Sequence, residues 1–118
     1  MRIVVLPEAA DEFEDAADYY DHQQPGLGQR YRDEVDRHIR WIGQYPNLPH
    51  VRSGGYRRVN LKIFPYYVAY VFHQEAVWVL AIAHAHRKPE YWIRRRLNLS
   101  QPDAGPNVAQ REPPRLPP

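Results

Sequence analysis

No cysteine occurs among the 118 residues, which excludes disulfides, thiolate nucleophiles and cysteine-based metal sites. A cytoplasmic setting fits that composition. No apolar run approaches the roughly 18–20 residues that a membrane helix needs. The opening Met1-Arg2-Ile3-Val4-Val5-Leu6 meets Pro7 and Glu8 too soon for a secretory signal. The expectation is therefore a soluble cytoplasmic chain with no membrane partner. A Gly-x-Ser-x-Gly elbow, a P-loop and a dinucleotide fingerprint are all missing, and Gly26-Leu27-Gly28 is only a turn at a helix start. His84 and His86 could supply two metal ligands, but no H-x-x-x-H spacing or matching acidic motif accompanies them. No metal or other cofactor is expected.

Carboxylates are scarce in the second half of the chain. Residues 1–36 hold ten acids against three bases, a balance of −7, whereas residues 37–96 hold eleven bases against Glu75 and Glu90, a balance of +9. Two halves that neutralise each other across a fold account for this pattern. So does a basic surface facing phosphate or an acidic partner, and the two readings are compatible. Large apolar residues are also scarce in residues 97–118, where six prolines occur. Such a stretch buries too little surface to offset its ordering entropy, so it reads as a proline-rich disordered tail. Residues 1–96 remain as a single folding unit with one modest core.

Within that unit, Ile3 to Leu6 is a short β-branched run that Pro7 ends. Ala9, Phe13, Ala16, Ala17 and Tyr20 recur at spacings of three and four and predict an amphipathic helix over residues 8–21. Asp11, Glu12, Glu14, Asp15 and Asp18 fall on or near its wet side. After the breaker Gln23-Gln24-Pro25-Gly26, a second helix over residues 27–42 buries Leu27, Tyr31, Val35, His38, Ile39 and Ile42, and the short connection makes the pair an antiparallel hairpin. Residues 45–55 form a loop.

Three strands are predicted next, over residues 56–64, 66–73 and 76–84. In the first, Val59, Leu61 and Ile63 alternate with Arg58, Asn60 and Lys62. The other two are apolar on both sides, as interior strands are. A helical turn or two over residues 89–96 ends the unit. The fold class is α+β in the order β-α-α-β-β-β-α, with the helical hairpin on one face of an antiparallel sheet and Arg58, Asn60 and Lys62 on the other.

Functional groups concentrate where the last strand leaves the sheet. His84 and His86 lie on one side if the strand continues, followed by Arg87, Lys88, Tyr91 and Trp92. Imidazole exchanges protons near neutral pH, Arg57, Arg58, Lys62 and Arg87 can hold a phosphate, and Tyr91 can stack on a base. Such a set suits metal-independent RNA cleavage with His84, Arg87 and Tyr91 as catalytic groups. It also suits plain binding of a target through Arg57, Arg58, Lys62, His86 and Arg87. Structural roles compete at each position: a hydrogen-bonded strand-end histidine, a solvated Arg94-Arg95-Arg96 helix end, and Tyr91 and Trp92 as docking aromatics.

Five phrases in order resemble the RelE/ParE toxins, and the ParE-like branch in particular. They are Ala16-Ala17-Asp18-Tyr19-Tyr20, Pro25-Gly26-Leu27-Gly28 followed by Tyr31, Tyr45-Pro46-Asn47-Leu48-Pro49, Arg57-Arg58 leading to Phe64-Pro65-Tyr66, and the closing His84, Arg87, Pro89, Tyr91 and Trp92. The resemblance implies the toxin of a bacterial type II toxin–antitoxin, or plasmid stabilisation, system, held inactive in a hetero-oligomer by a cognate antitoxin. The ParE-like branch implies growth inhibition by binding DNA gyrase, with no chemistry on nucleic acid. The RelE-like alternative implies an endonuclease that cuts messenger RNA on the ribosome. His86 stands where the closing signature usually carries a base, and Lys88 where an acid is common. These departures leave a third alternative, a toxin-fold interaction module that has lost toxicity.

Overall fold

The computed structural model describes residues 1–100. The elements are β1 (Arg2–Val5), α1 (Pro7–Gln23), α2 (Leu27–Gln44), β2 (Arg57–Asn60), β3 (Tyr66–His73), β4 (Ala76–His84), a 3₁₀ turn at Pro89–Tyr91 and α3 (Arg94–Ser100). Pro7 opens α1, at a position where a missing N–H costs nothing and the fixed φ is already helical. Two glycines make the hairpin turn. Gly26 takes the left-handed φ of 90° ahead of α2, which a side chain disfavours. Gly28 lies so close to α1 that a Cβ there would stand 2.5 Å from the Ala17 carbonyl oxygen. The Gly28 N–H donates to Asp21 Oδ1 at 2.8 Å. Arg32 of α2 then grips Glu14 of α1 with two bonds of 2.7 and 3.0 Å.

The strand order is β1-β4-β3-β2. β2, β3 and β4 form the expected antiparallel meander, and the turn at Gln74 and Glu75 places both residues at positive φ (52° and 62°), as a two-residue hairpin turn demands. β1 joins as the fourth strand, but it runs parallel to β4 from Arg2↔Ala76 to Val5↔Val79. The sheet is therefore mixed, not purely antiparallel. Periodicity marks a segment as a strand but carries no information on which neighbour it meets or in which direction.

The strand expected over residues 56–64 is also shorter, because β2 stops at Asn60. Beyond it the chain bends around a carboxylate. Glu34 of α2, only 2% exposed, accepts Lys62 N–H at 2.6 Å and Ile63 N–H at 3.1 Å through Oε2. Leu61 and Phe64 turn inward while Ile63 is exposed, so the alternation Val59, Leu61, Ile63 fails at its third member. At the other end, α3 carries the chain past the boundary expected at residue 96. The remainder of the expected tail, 101–118, lies outside the described residues.

Both faces of the sheet are covered. On the helical side Ala9, Ala16, Ala17, Tyr31, Val35 and Ile42 pack against Val68, Tyr70, Val77, Val79 and Ile82. Phe13, Tyr20, Tyr31, Phe64 and Tyr66 close a ring cluster there, with centroids 4.8–6.2 Å apart in the contacting pairs. The opposite face holds a smaller core of its own. Leu6, Tyr56, Tyr67, Ala69, Val71, Leu80 and Ala81 surround Trp92, which is fully buried and meets Tyr56 edge-on at 4.7 Å. Of the residues expected on an open cationic face, Arg58 and Asn60 share a 3.1 Å bond and Arg58 lies 4.1 Å over the Tyr67 ring. Lys62 is exposed but has left the strand.

One polar atom in the larger core has no partner: the Tyr31 hydroxyl, on a residue with no exposed surface. A buried hydroxyl without a bond forfeits its hydration for nothing. Tyr31→Phe is expected to leave stability unchanged or raise it by about 1 kcal/mol in urea unfolding, and a loss larger than that would show that the hydroxyl is satisfied. Glu34→Ala is expected to cost about 1.5–3 kcal/mol in the same assay, as two charge-assisted bonds to backbone amides disappear. A neutral result would mean that water replaces the carboxylate.

Candidate functional site: the closing turn and its anchor

β1 is short, and its last backbone bond to β4 is Leu6 N–H to the Val79 oxygen at 3.1 Å. From Leu80 onward the rim of β4 lacks a strand neighbour. Leu80 is also skipped in the ladder with β3, because Ala69 pairs with Ala81 while Tyr70 pairs with Val79. This bulge turns Leu80 and Ala81 toward the same core and aims backbone groups at the open rim.

Side chains satisfy that rim. Glu12 of α1 accepts Ile82 N–H at 3.0 Å, and Arg95 of α3 donates to the Leu80 oxygen at 2.8 Å. Glu12 and Arg95 also pair with each other, both Oε···Nη distances being 3.2 Å. The Tyr91 hydroxyl donates to Glu12 Oε2 at 2.9 Å. One carboxylate thus receives a backbone amide, a phenol and a guanidinium, and it ties α1 to β4, the 3₁₀ turn and α3. The sheet edge is protected without a further strand.

The closing turn is built on that anchor. Ala85 N–H donates to the Pro65 oxygen at 2.7 Å and Arg87 N–H to the His84 oxygen at 2.9 Å. Tyr67 donates to the Arg87 oxygen at 3.1 Å and accepts from Trp92 Nε1 at 2.9 Å. With its backbone held, Arg87 places its guanidinium 4.0 Å over the Tyr91 ring while the residue stays exposed. His84 lies between Tyr66 and His86, each ring 5.3 Å away. His86 N–H donates to His84 Nδ1 at 3.2 Å, which leaves the proton of the neutral His84 ring on Nε2.

The expected site residues separate into four places. His84, His86, Arg87 and Tyr91 come together at the closing turn. Arg58 lies on the second sheet face against Tyr67, and Lys62 in the bend after β2. Arg57 faces the helical side and is committed elsewhere: its Nη1 donates to the Asn47 and Pro49 oxygens at 2.9 and 2.6 Å. Its guanidinium staples the loop between α2 and β2.

Tyr91 acts in the structure as a hydrogen-bond donor. Burial, reinforced by the adjacent Glu12 carboxylate, pushes its phenol well above the ordinary value, so the proton remains on it as a donor to Glu12. Its ring is the seat for Arg87. Among the described residues no group of three His, Cys, Asp or Glu side chains is placed to hold a metal ion, and no helix is long and apolar enough to cross a membrane.

Three of the residues that anchor the sheet and the closing turn carry little sign of it in the sequence: Glu12, Glu34 and Arg95. Glu12 was expected on the wet side of α1, yet it is half-buried on the sheet rim. Its spacing contained the signal, since it lies three residues after Ala9 and four before Ala16 and so falls within the apolar stripe. Glu34 occupies the same kind of position in α2, three residues after Tyr31. Arg95, within a triple of arginines, had no such marker.

The fold is similar to that of a solved structure titled "Chromosomal ParDE TA system from P. aeruginosa". The superposition has a TM-score of 0.64 at 16% sequence identity and covers 73% of this chain and 97% of that one. This likeness concerns the fold. A comparison with curated proteins finds no match. The family model for the ParE toxin of the type II toxin–antitoxin system parDE matches residues 3–89. The chain belongs to that family.

Burial raises the phenols of Tyr20, Tyr31, Tyr66 and Tyr67, takes Tyr70 up to about 12, and with Glu12 raises Tyr91. A phenol that holds its proton more tightly folded than unfolded contributes stability below its unfolded value of about 10. That contribution is lost as pH rises toward the folded value. Stability is therefore expected to fall above about pH 10, with these six tyrosines ionising together as circular dichroism is lost. Smooth ionisation of all nine tyrosines near pH 10 in a still-folded protein would contradict this.

Proposed function

We propose that this chain is the toxin of a type II toxin–antitoxin pair, that it acts by binding and inhibiting DNA gyrase, and that a cognate antitoxin neutralises it. Family membership supports the toxin role, and the closing turn supports binding over cleavage. The observation that carries this reading is the state of Tyr91, whose phenol is half-buried and hydrogen-bonded to Glu12 while its ring face carries Arg87. A catalytic phenol must exchange its proton during a reaction, and this one is committed. What the turn presents outward is the exposed Arg87, His86 and Lys88, a cationic recognition surface on a rigid base. The toxin thus offers a binding surface to a protein target without chemistry on nucleic acid.

Proximity of His84 and His86 to Arg87 favours the second reading, a ribosome-dependent messenger RNA endonuclease, because imidazoles beside a guanidinium can move a proton and hold a phosphate. One experiment separates the two. The chain is induced without an antitoxin, and plasmid topology and message integrity are followed in the same cells. Under the gyrase reading growth stops, plasmids relax, cleaved DNA accumulates and messages stay intact. Arg87→Ala is expected to relieve growth arrest by at least about tenfold in viable count with unchanged Tm, since an exposed side chain removed from an interface centre costs over 1 kcal/mol of binding. Early message cleavage with unaltered plasmid topology would overturn the gyrase reading in favour of the endonuclease. Unimpaired growth would leave an interaction module.

A further inference from the structure

The loop between α2 and β2, residues 45–56, takes no part in the closing turn, yet it is held more firmly than a connector requires. Arg57 donates to the Asn47 and Pro49 oxygens at 2.9 and 2.6 Å, and Tyr70 donates to the Pro46 oxygen at 2.9 Å. Leu48 N–H closes on the Tyr45 oxygen at 3.2 Å, and Arg52 N–H on the Tyr56 oxygen at 2.7 Å. Two side chains from the sheet therefore hold three consecutive-region carbonyls of the loop, and two backbone bonds fix its ends.

Three of the residues this scaffold holds outward are large and apolar. Tyr45, Leu48 and Val51 are 50%, 69% and 54% exposed, and the Tyr45 ring lies 5.6 Å from that of Trp41. Single exposed apolar residues are ordinary, but three on one rigid loop lower the ordering cost a partner would otherwise meet. Along the sequence the charge flanking them has one sign. No carboxylate occurs between Asp36 and Glu75, an interval that contains Arg37, Arg40, Arg52, Arg57, Arg58 and Lys62. Among the described residues Arg40 pairs with Asp36 at 2.9 Å, whereas Arg37 and Arg52 make no ion pair.

We infer that the 45–51 loop is a docking surface for an acidic, aliphatic-bearing segment of the neutralising partner protein, with Leu48 and Val51 as its apolar anchors and Arg52 as its cationic rim. The inference rests on the reading that a protein neutralises this chain. Carboxylates on the segment pair with the rim, and its aliphatic side chains cover Leu48 and Val51.

The test uses the full chain and a fluorescent 18-residue peptide of leucine and glutamate at helical spacing, with a leucine–lysine peptide and a serine–glutamate peptide as comparisons. Anisotropy should show binding of the leucine–glutamate peptide alone, weakening as salt is raised. Leu48→Ser/Val51→Ser should weaken it at least about tenfold with Tm unchanged, because both side chains are exposed. Arg57→Gln, which frees the loop but leaves every apolar anchor in place, should weaken it by about threefold or more through lost preorganisation. Equal binding of all three peptides, or wild-type affinity in Leu48→Ser/Val51→Ser, would overturn the inference. So would self-association or binding of labelled duplex DNA or RNA that this double variant abolishes, since the loop would then serve a second copy or a nucleic acid. A chain that leaves growth unimpaired but binds the peptide through this loop would remove the toxin reading and keep the surface. An active toxin that ignores the peptide would do the reverse.

Discussion

A β-ladder that stops early leaves N–H and C=O groups with nowhere to go, and burying them unpaired costs more than any single contact nearby returns. β4 is nine residues long and β1 only four, so the rim beyond Val79 must be satisfied by something other than a strand. Glu12 and Arg95 do this between them, one taking Ile82 N–H and the other giving to the Leu80 oxygen. The pairing is mutual, because each side chain also neutralises the charge of the other. A half-buried carboxylate or guanidinium alone would be expensive there. The position of the closing segment, and hence of Arg87 on Tyr91, follows from this bond set.

The second helix repeats the device at another gap. β2 ends at Asn60, the chain turns through residues 61–65, and Glu34 accepts the two amides that the turn leaves over. Each helix of the hairpin therefore sends one carboxylate into the sheet layer, in addition to its apolar stripe. Apolar stripes tolerate sliding, whereas a carboxylate that must meet particular N–H groups does not. The hairpin is fixed in register on the sheet by Glu12 and Glu34 and pressed onto it by Tyr31, Val35 and Ile42.

These two anchors leave the molecule with two firmly held surfaces of different character. At the closing turn the outward groups are cationic and imidazole-bearing, and the aromatic ring beneath them is locked as a proton donor. On the loop after α2, Tyr45, Leu48 and Val51 are exposed, and the guanidinium of Arg57 is spent on the loop's own carbonyls. Rigid display of such groups reduces the entropy lost on any association.

Periodicity and turn chemistry determined much of this from the sequence alone. Spacings of three and four marked both helices, Pro25-Gly26-Leu27-Gly28 marked the hinge between them, and the apolar runs after Pro65 marked the two interior strands. The five local phrases pointed to the ParE family that the comparison with known families establishes, and the cluster from His84 to Tyr91 is a real assembly in space. Only the tertiary structure decided that β1 lies parallel to β4, that Ile63 points outward, that Arg57 staples a loop, and that Glu12 and Glu34 are structural acids. The reason is physical. Local spacing reports which side of an element is apolar, but an orphaned N–H in a distant strand is created only when the strands pair, and the residue that satisfies it can lie 70 positions away, as Glu12 does from Ile82.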